Sequence, residues 1–173
     1  MYDLKSKFRH VMDFPEKGID FIDITTVLAD SEAFQYAMGS IIDQARKFDF
    51  DVVVAPESRG FILGTPIAYV MKKSFVPIRK KGKLPYKTID IEYNLEYGSS
   101  VLEIHQDAIR PGQRILVVDD LLATGGTTLS NIKLVEKLGG IVSGIIYLVE
   151  LGYLNGREQL KNYNVVSIVN FEK

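Results

Sequence analysis

The chain has 173 residues, 46% hydrophobic and 25% charged, which suits one domain with its own core. Its net charge of -1 argues against bulk attraction to nucleic acid or anionic lipid, and the absence of cysteine excludes disulfides and thiolate metal sites. The opening residues, Met1 to Arg9, lack the apolar stretch of a signal peptide, and no apolar run approaches a membrane span, so a cytoplasmic protein without a membrane partner is expected.

No repeat, low-complexity tract or linker divides the chain, so a single domain over 1–173 is expected. In chain order, Asp30-Ser31 offers a helix cap, and Phe34, Met38, Ile41, Ile42 and Ala45 follow on one helical face. Asp51-Val-Val-Val-Ala55 is continuous and β-branched, as in a strand buried on both faces. After Pro56-Glu-Ser-Arg-Gly60 a helix is expected over about 61–72. Ser74 to Ile78 then reads as a strand, in which Pro77 suggests an irregular or edge position. Alternation over Lys87 to Tyr93 and the short apolar run Val101 to Ile104 flank Tyr97-Gly98. These predict a long hairpin over 80–104 extending from the core.

Arg114 to Val118 reads as a strand and Thr127 to Leu138 as a helix with Leu129, Ile132, Val135 and Leu138 inward, ended by Gly139-Gly140. Ile141 to Val149 and Val165 to Val169 complete the strands. The alternation implies an α/β fold: a mainly parallel, twisted sheet flanked by helices, with ligands at the C-terminal strand ends. Pro56–Gly60 and Asp119–Thr127 both occupy such ends.

The run Ile115-Leu-Val-Val-Asp-Asp-Leu-Leu-Ala-Thr-Gly-Gly-Thr127 carries the clearest chemistry. Amides at a helix start are unpaired and partly positive, so Ala123, Thr124, Gly125, Gly126 and Thr127 can cradle a phosphate. Alone, such a loop reads equally well as a turn capped by Thr. Adjacent Asp119 and Asp120 repel each other and need partners, which a polyol's hydroxyls supply. No Lys follows the glycines, so this is not a Walker loop.

The thirteen-residue run resembles the signature of the type I phosphoribosyltransferases. Further segments resemble the adenine-specific members: Gly18 to Thr25, Glu57 to Gly64, Ile78 to Pro85, Leu95 to Gly98 and Leu102 to His105. The likeness runs in order along nearly the whole chain and weakens after Gly152. It implies transfer of the phosphoribosyl group from 5-phosphoribosyl 1-diphosphate to adenine. It also implies a small N-terminal base-binding hood over 1–30, a flexible lid on the protruding hairpin, and a homodimer.

By the same resemblance, Asp119 and Asp120 hold the ribose 2- and 3-hydroxyls and residues 123–127 hold the 5-phosphate. Glu57, Ser58 and Arg59 form a diphosphate loop with a non-proline cis peptide at Glu57–Ser58. Glu96 on the lid meets the purine near N7 or N9, and Tyr97 helps cover it. Asp20, Phe21 and Ile22 form the adenine pocket, with Phe21 either a stacking platform or a core aromatic. Many members carry an apolar residue and an Arg around that Phe, where this chain has Asp20 and Ile22. Lys80, Lys81 and Lys83 make either a solvated cationic turn or a screen for diphosphate charge across a dimer interface, with Lys80 and Lys83 favoured for the second role. His10 and His105 read as ordinary polar residues. Mg²⁺ is expected to arrive with the diphosphate, without a protein-built cage. Two alternatives stay open: a 6-oxopurine transferase, and a non-catalytic purine-responsive regulator.

Overall fold

The computed structural model describes residues 2–94 and 99–172. It divides into two compact units, Met1–Ser40 and Ile41–Lys173.

In the first unit a 3-10 turn, Lys5–Lys7, precedes strand β1 (Arg9–Met12), which pairs antiparallel with β2 (Asp20–Asp23) in a register from Arg9↔Asp23 to Met12↔Asp20. The connection turns through a cis Phe14–Pro15 bond and the left-handed Asp13 and Gly18, whose amide donates to Asp13 Oδ1 at 2.7 Å. Short helix α1 (Thr25–Ala29) leads to α2 (Ser31–Ala45), which continues into the second unit. Asp30 caps α2: its Oδ1 accepts the amides of Glu32 and Ala33, and its Oδ2 takes the Lys7 ammonium at 2.9 Å. The buried side chains of α2 are Ala33, Ala37, Met38, Ile41 and Ala45, so the expected face is correct but Phe34 and Ile42 lie at its rim.

The second unit is built on one sheet. Its strands are β3 (Val52–Pro56), β4 (Ser74–Lys80), β5 (Thr88–Asn94), β6 (Ser99–His105), β7 (Arg114–Leu122), β8 (Ile141–Leu151) and β9 (Val165–Phe171). They lie in the order β5-β6-β4-β3-β7-β8-β9, with β4, β3, β7, β8 and β9 parallel. Helix α3 (Arg59–Met71) joins β3 to β4, α4 (Gly126–Lys137) joins β7 to β8, and the short α5 (Gly156–Gln159) precedes β9. Alternation along β3 divides the core. Val52 and Val54 join Ile132, Leu134 and Val135 of α4. Val53 and Ala55 face α3, where Gly64 lets the helix approach: a Cβ there would lie 3.1 Å from that of Ala55.

Several boundaries differ from expectation. β7 runs to Leu122, so the acid pair lies within the strand and not beyond it, because pairing with β8 continues through Leu122↔Glu150. β4 is an interior strand, but its ladder to β6 involves only Arg79↔Glu103 and Lys80↔Leu102. Pro77 precedes that ladder, where its missing amide hydrogen costs no pairing on that side. The hairpin β5–β6 has its base in the sheet, with Ile89 and Ile91 against the core, so that part is a sheet edge more than a separate arm. Its tip, including Glu96 and Tyr97, lies outside the described residues. α4 buries Thr128, Ser130 and Asn131 beside its apolar residues, while Leu129 and Leu138 are only partly covered. Among the described residues no helix is long and apolar enough to cross a membrane.

Gly144 of β8 receives the ring of Phe48: a Cβ there would fall 2.9 Å from the ring Cγ and closer still to its edge. Gly144→Ala is therefore expected to destabilise the protein by about 1–3 kcal/mol through overpacking, read as a lower urea midpoint at unchanged slope.

Candidate active site

The chain reverses direction across the sheet between β3 and β7: after β3 it builds outward through β4 and β6, then returns to lay β7 on the other side of β3. That reversal leaves a crevice at the C-terminal ends of the two strands, the usual ligand position in open parallel sheets. A cavity of about 280 Å³ opens there, lined by Pro56 to Arg59 between the end of β3 and the start of α3, by Asp119 to Thr128, and by Lys80 and Leu102.

On the β3 side the Glu57–Ser58 peptide is cis, as the resemblance implied. Helix α3 begins at Arg59, two residues earlier than expected, which brings the guanidinium to β7: Arg59 Nε lies 2.8 Å from Asp120 Oδ2. Gly60 allows the two segments to close, since a Cβ there would lie 3.1 Å from Asp119 Oδ1 and 3.2 Å from the Val118 carbonyl oxygen.

Within the acid pair Asp120 is buried and Asp119 partly exposed to the cavity. Asp120 is 4% exposed, and its own amide donates to Asp119 Oδ1 at 2.9 Å. Burial pushes the Asp119 carboxyl well above the usual carboxylate range, and the neighbouring Asp120 charge pushes the same way. Burial also raises Asp120, although Arg59 draws it down. These are desolvated acceptors suited to strong hydrogen bonds from hydroxyls.

The loop beyond them has Gly125 at the cap of α4 with φ 87°, a left-handed conformation natural to glycine. It has no side chain with which to cap the first helical amides, leaving them to an anion. Under the loop Thr128 Oγ1 meets Tyr147 Oη at 2.5 Å, and burial drives the Tyr147 phenol upward.

The basic cluster is sorted by its partners. Arg79 Nε donates to Glu57 Oε2 at 2.6 Å and its Nη1 to the Lys83 carbonyl at 3.1 Å. Lys81 pairs with Asp90 at 2.7 Å. Glu103, 4% exposed, accepts the amides of Lys83 and Leu84 at 2.9 and 2.8 Å. Burial opposes its charge, but those amides, that of Gly82 and the Thr88 hydroxyl hold its carboxyl below the usual range. Lys80 remains on the cavity wall, while Lys83 contributes its backbone to the turn. Glu57 also lines the cavity, but its carboxylate is engaged by Arg79.

Asp20, Phe21 and Ile22 lie on β2 of the other unit. The Ile22 side chain is buried, Phe21 packs edge-on against Phe14 with ring centres 5.2 Å apart, and Asp20 Oδ2 lies 2.7 Å from His10 Nδ1. His10 thus has a definite partner that the sequence did not suggest. Sequence reasoning assigned no role to Glu103, although it lies in the Leu102 to His105 segment, nor to Tyr147, which no motif marked.

Residues 28–172 match the family described as phosphoribosyl transferase domain. This chain belongs to the phosphoribosyltransferase family. Among its relatives, the adenine phosphoribosyltransferase of Caldicellulosiruptor saccharolyticus is 66% identical over 98% of this chain and 97% of its own. The crystal structure of adenine phosphoribosyltransferase from Thermoanaerobacter pseudethanolicus superimposes with a TM-score of 0.94 at 51% identity, covering 98% of both chains. That of the Saccharomyces cerevisiae enzyme, complexed with an imino-altritol bisphosphate and adenine, gives 0.87 at 35% identity over 96% of each. These full-length matches agree with the type I phosphoribosyltransferase fold implied by the signature run.

The raised Asp119 pKa has a thermodynamic consequence. Above the ordinary value of 3.8 the folded protein holds a proton that the unfolded chain has lost, so this group subtracts stability as pH rises. Asp119→Asn keeps an oxygen for the Asp120 amide and removes the buried charge. It is expected to raise the melting temperature at about pH 8 by more than at about pH 4. A difference independent of pH in calorimetry contradicts the assignment.

Proposed function

We propose that this phosphoribosyltransferase transfers the 5-phosphoribosyl group of 5-phosphoribosyl 1-diphosphate to adenine, giving AMP and diphosphate in purine salvage. The observation that carries this reading is that one cavity is lined both by the acid pair, Asp120 buried and Asp119 partly so, and by an anion-ready glycine loop. The names of relatives 66% identical over nearly the whole chain supply the acceptor base.

In this reading the first amides of α4 and the hydroxyls of Thr124 and Thr127 receive the 5-phosphate, and Asp119 and Asp120 accept hydrogen bonds from the ribose hydroxyls. The bond from adenine N9 to the anomeric carbon forms as the bond from that carbon to diphosphate breaks, through an oxocarbenium-like state. Arg59, beside Asp120, and Lys80 on the cavity wall bring positive charge to the leaving group; Lys83, expected beside Lys80, does not line the cavity. Ser58 lines the same cavity directly before Arg59 and offers its hydroxyl to the diphosphate. The cavity's donors are carboxylate and hydroxyl oxygens, which suit Mg²⁺, and among the described residues no cluster of three or more His, Asp or Glu could cage an ion. Mg²⁺ would be carried mainly by the diphosphate, leaving Asp119 and Asp120 to the ribose hydroxyls. When bound, Mg²⁺ neutralises charge on that leaving group. Glu96 takes or orients the proton shed by the purine, Tyr97 covers the site against water, and Phe21 stacks on the base between the backbone groups of Asp20 and Ile22. The unusual Asp20 and Ile22 around Phe21 are what keep a 6-oxopurine acceptor as the rival reading.

We also read the protein as a homodimer. Its support is an exposed apolar stripe on α3, formed by Ile62, Tyr69 and Val70, with Tyr69 85% exposed. Light scattering at the single-chain mass of 19.5 kDa ends that reading.

Incubation with adenine, 5-phosphoribosyl 1-diphosphate and Mg²⁺ is expected to yield AMP, with adenine outcompeting guanine and hypoxanthine; preference for either oxopurine overturns the choice of base. Glu96→Ala is expected to lower kcat by about 10²–10⁴-fold while ribose 5-phosphate still binds. Undiminished turnover removes Glu96 from the chemistry.

A further inference from the structure

The phosphate loop is braced from behind by a segment that takes no part in the roles assigned so far. Gly156, at the start of α5, lies backbone to backbone against it. A Cβ at Gly156 would overlap the Ala123 carbonyl oxygen and fall 2.9 Å from the carbonyl carbons of both Ala123 and Thr124. The contact is reciprocal: a Cβ at Gly125 would lie 2.8 Å from the Gly156 carbonyl oxygen. Any shift of Gly156 toward the loop must move the amides that face the phosphate.

Something must hold this brace in place, because α5 spans four residues and a helix that short does not persist unaided. The next residue, Arg157, supplies the anchor. Its Nε and Nη2 donate to Glu150 Oε1 and Oε2 at 2.9 and 2.5 Å, and its Nη1 donates to the Val165 carbonyl at 2.9 Å. Ser167 Oγ completes the cluster by donating to Glu150 Oε2 at 2.6 Å. One guanidinium thus ties α5 to both β8 and β9. Glu150 is 5% exposed and pairs in register with Leu122, the last residue of β7 before the phosphate loop. Fork and loop therefore spring from the same level of the sheet. A planar, bidentate fork of this kind fixes direction as well as distance, which a lysine ammonium does not.

We propose that Arg157, locked by Glu150 and Ser167, is a positioning residue for the 5-phosphate loop, acting through the backbone contact of Gly156 with Ala123, Thr124 and Gly125. It touches no substrate. It sets where the loop's amides stand, and so governs affinity for the phosphate end of the substrate and not for the base. The proposal rests on the phosphoribosyltransferase reading of the loop.

The test uses the full-length chain with Arg157→Ala, Arg157→Lys and Gly156→Ala. Melting temperature, kcat and the separate KM values for 5-phosphoribosyl 1-diphosphate and adenine are measured, together with calorimetric binding of ribose 5-phosphate. For Arg157→Ala and Gly156→Ala, the KM for the phosphoribosyl donor and the Kd for ribose 5-phosphate are expected to rise about 10- to 100-fold, with the adenine KM within about 2-fold of the parent. Arg157→Lys is expected to recover only part of the loss. Parental affinity for ribose 5-phosphate in folded Arg157→Ala overturns the proposal, as does an equal loss for adenine. Should Arg157→Ala not fold, Gly156→Ala and Arg157→Lys decide by the same criteria. A parent protein that binds ribose 5-phosphate but makes no AMP refutes the catalytic reading alone, and the binding arm still judges the brace. A parent that binds no ribose 5-phosphate overturns both.

Discussion

Two adjacent carboxylates, Asp120 buried and Asp119 partly so, are the constraint around which this molecule is arranged. Asp119 and Asp120 repel each other, and burial penalises each charge. The fold answers with the Asp120 amide on Asp119 and with Arg59 against Asp120. Both answers make structural demands. Helix α3 has to begin at Arg59, and Gly60 must bear no side chain so that its backbone can pass close to Asp119. What is gained is a pair of acceptors in a low-dielectric crevice, where hydrogen bonds from a ligand's donors are stronger than in water.

The same logic organises the surroundings. Charged side chains act as struts that place backbone: Glu57 on Arg79 and Arg79 on the Lys83 carbonyl, Glu103 on the amides of Lys83 and Leu84, Glu150 on Arg157. Each carboxylate is satisfied by several donors, so burial does not neutralise it. The basic turn is thereby sorted into cations spent on structure, Arg79 and Lys81, and one on the cavity wall, Lys80. The glycine loop carries no charged side chain of its own and depends on backbone placed from in front by α4 and from behind by Gly156.

How much of this was legible depended on whether the signal was local. β3 stood out because Val52, Val53 and Val54 form a continuous β-branched run, and such runs are buried on both faces. The order of strand, acid pair, glycine loop and helix was also visible, since each part lies within one short window. The end of β7 was misjudged because two aspartates look like the start of a loop. They remain in the strand because β8 continues to pair with it. Pro77 suggested an edge, and only the late start of the β4–β6 ladder explains how an interior strand accommodates it. Glu103 alternates unremarkably among its neighbours, and nothing nearby announces that it will clamp a turn some twenty residues earlier in the chain. Glu96 and Tyr97 rest on sequence alone, being outside the described residues.

The sequence by itself determined the class of fold and marked the glycine loop and the adjacent carboxylates proposed here for phosphate and ribose, because hydrophobic period, glycine placement and adjacent charge act over a few residues. It also carried the likeness to the phosphoribosyltransferases along nearly its full length. The tertiary structure alone decided which distant groups meet. Arg59 reaches Asp120 because β7 is laid beside β3 on the side opposite β4. Arg157 reaches Glu150 because β8 and β9 run parallel next to each other. Strand order is a property of the assembled sheet, settled by which faces can be covered together, and no window of sequence contains it.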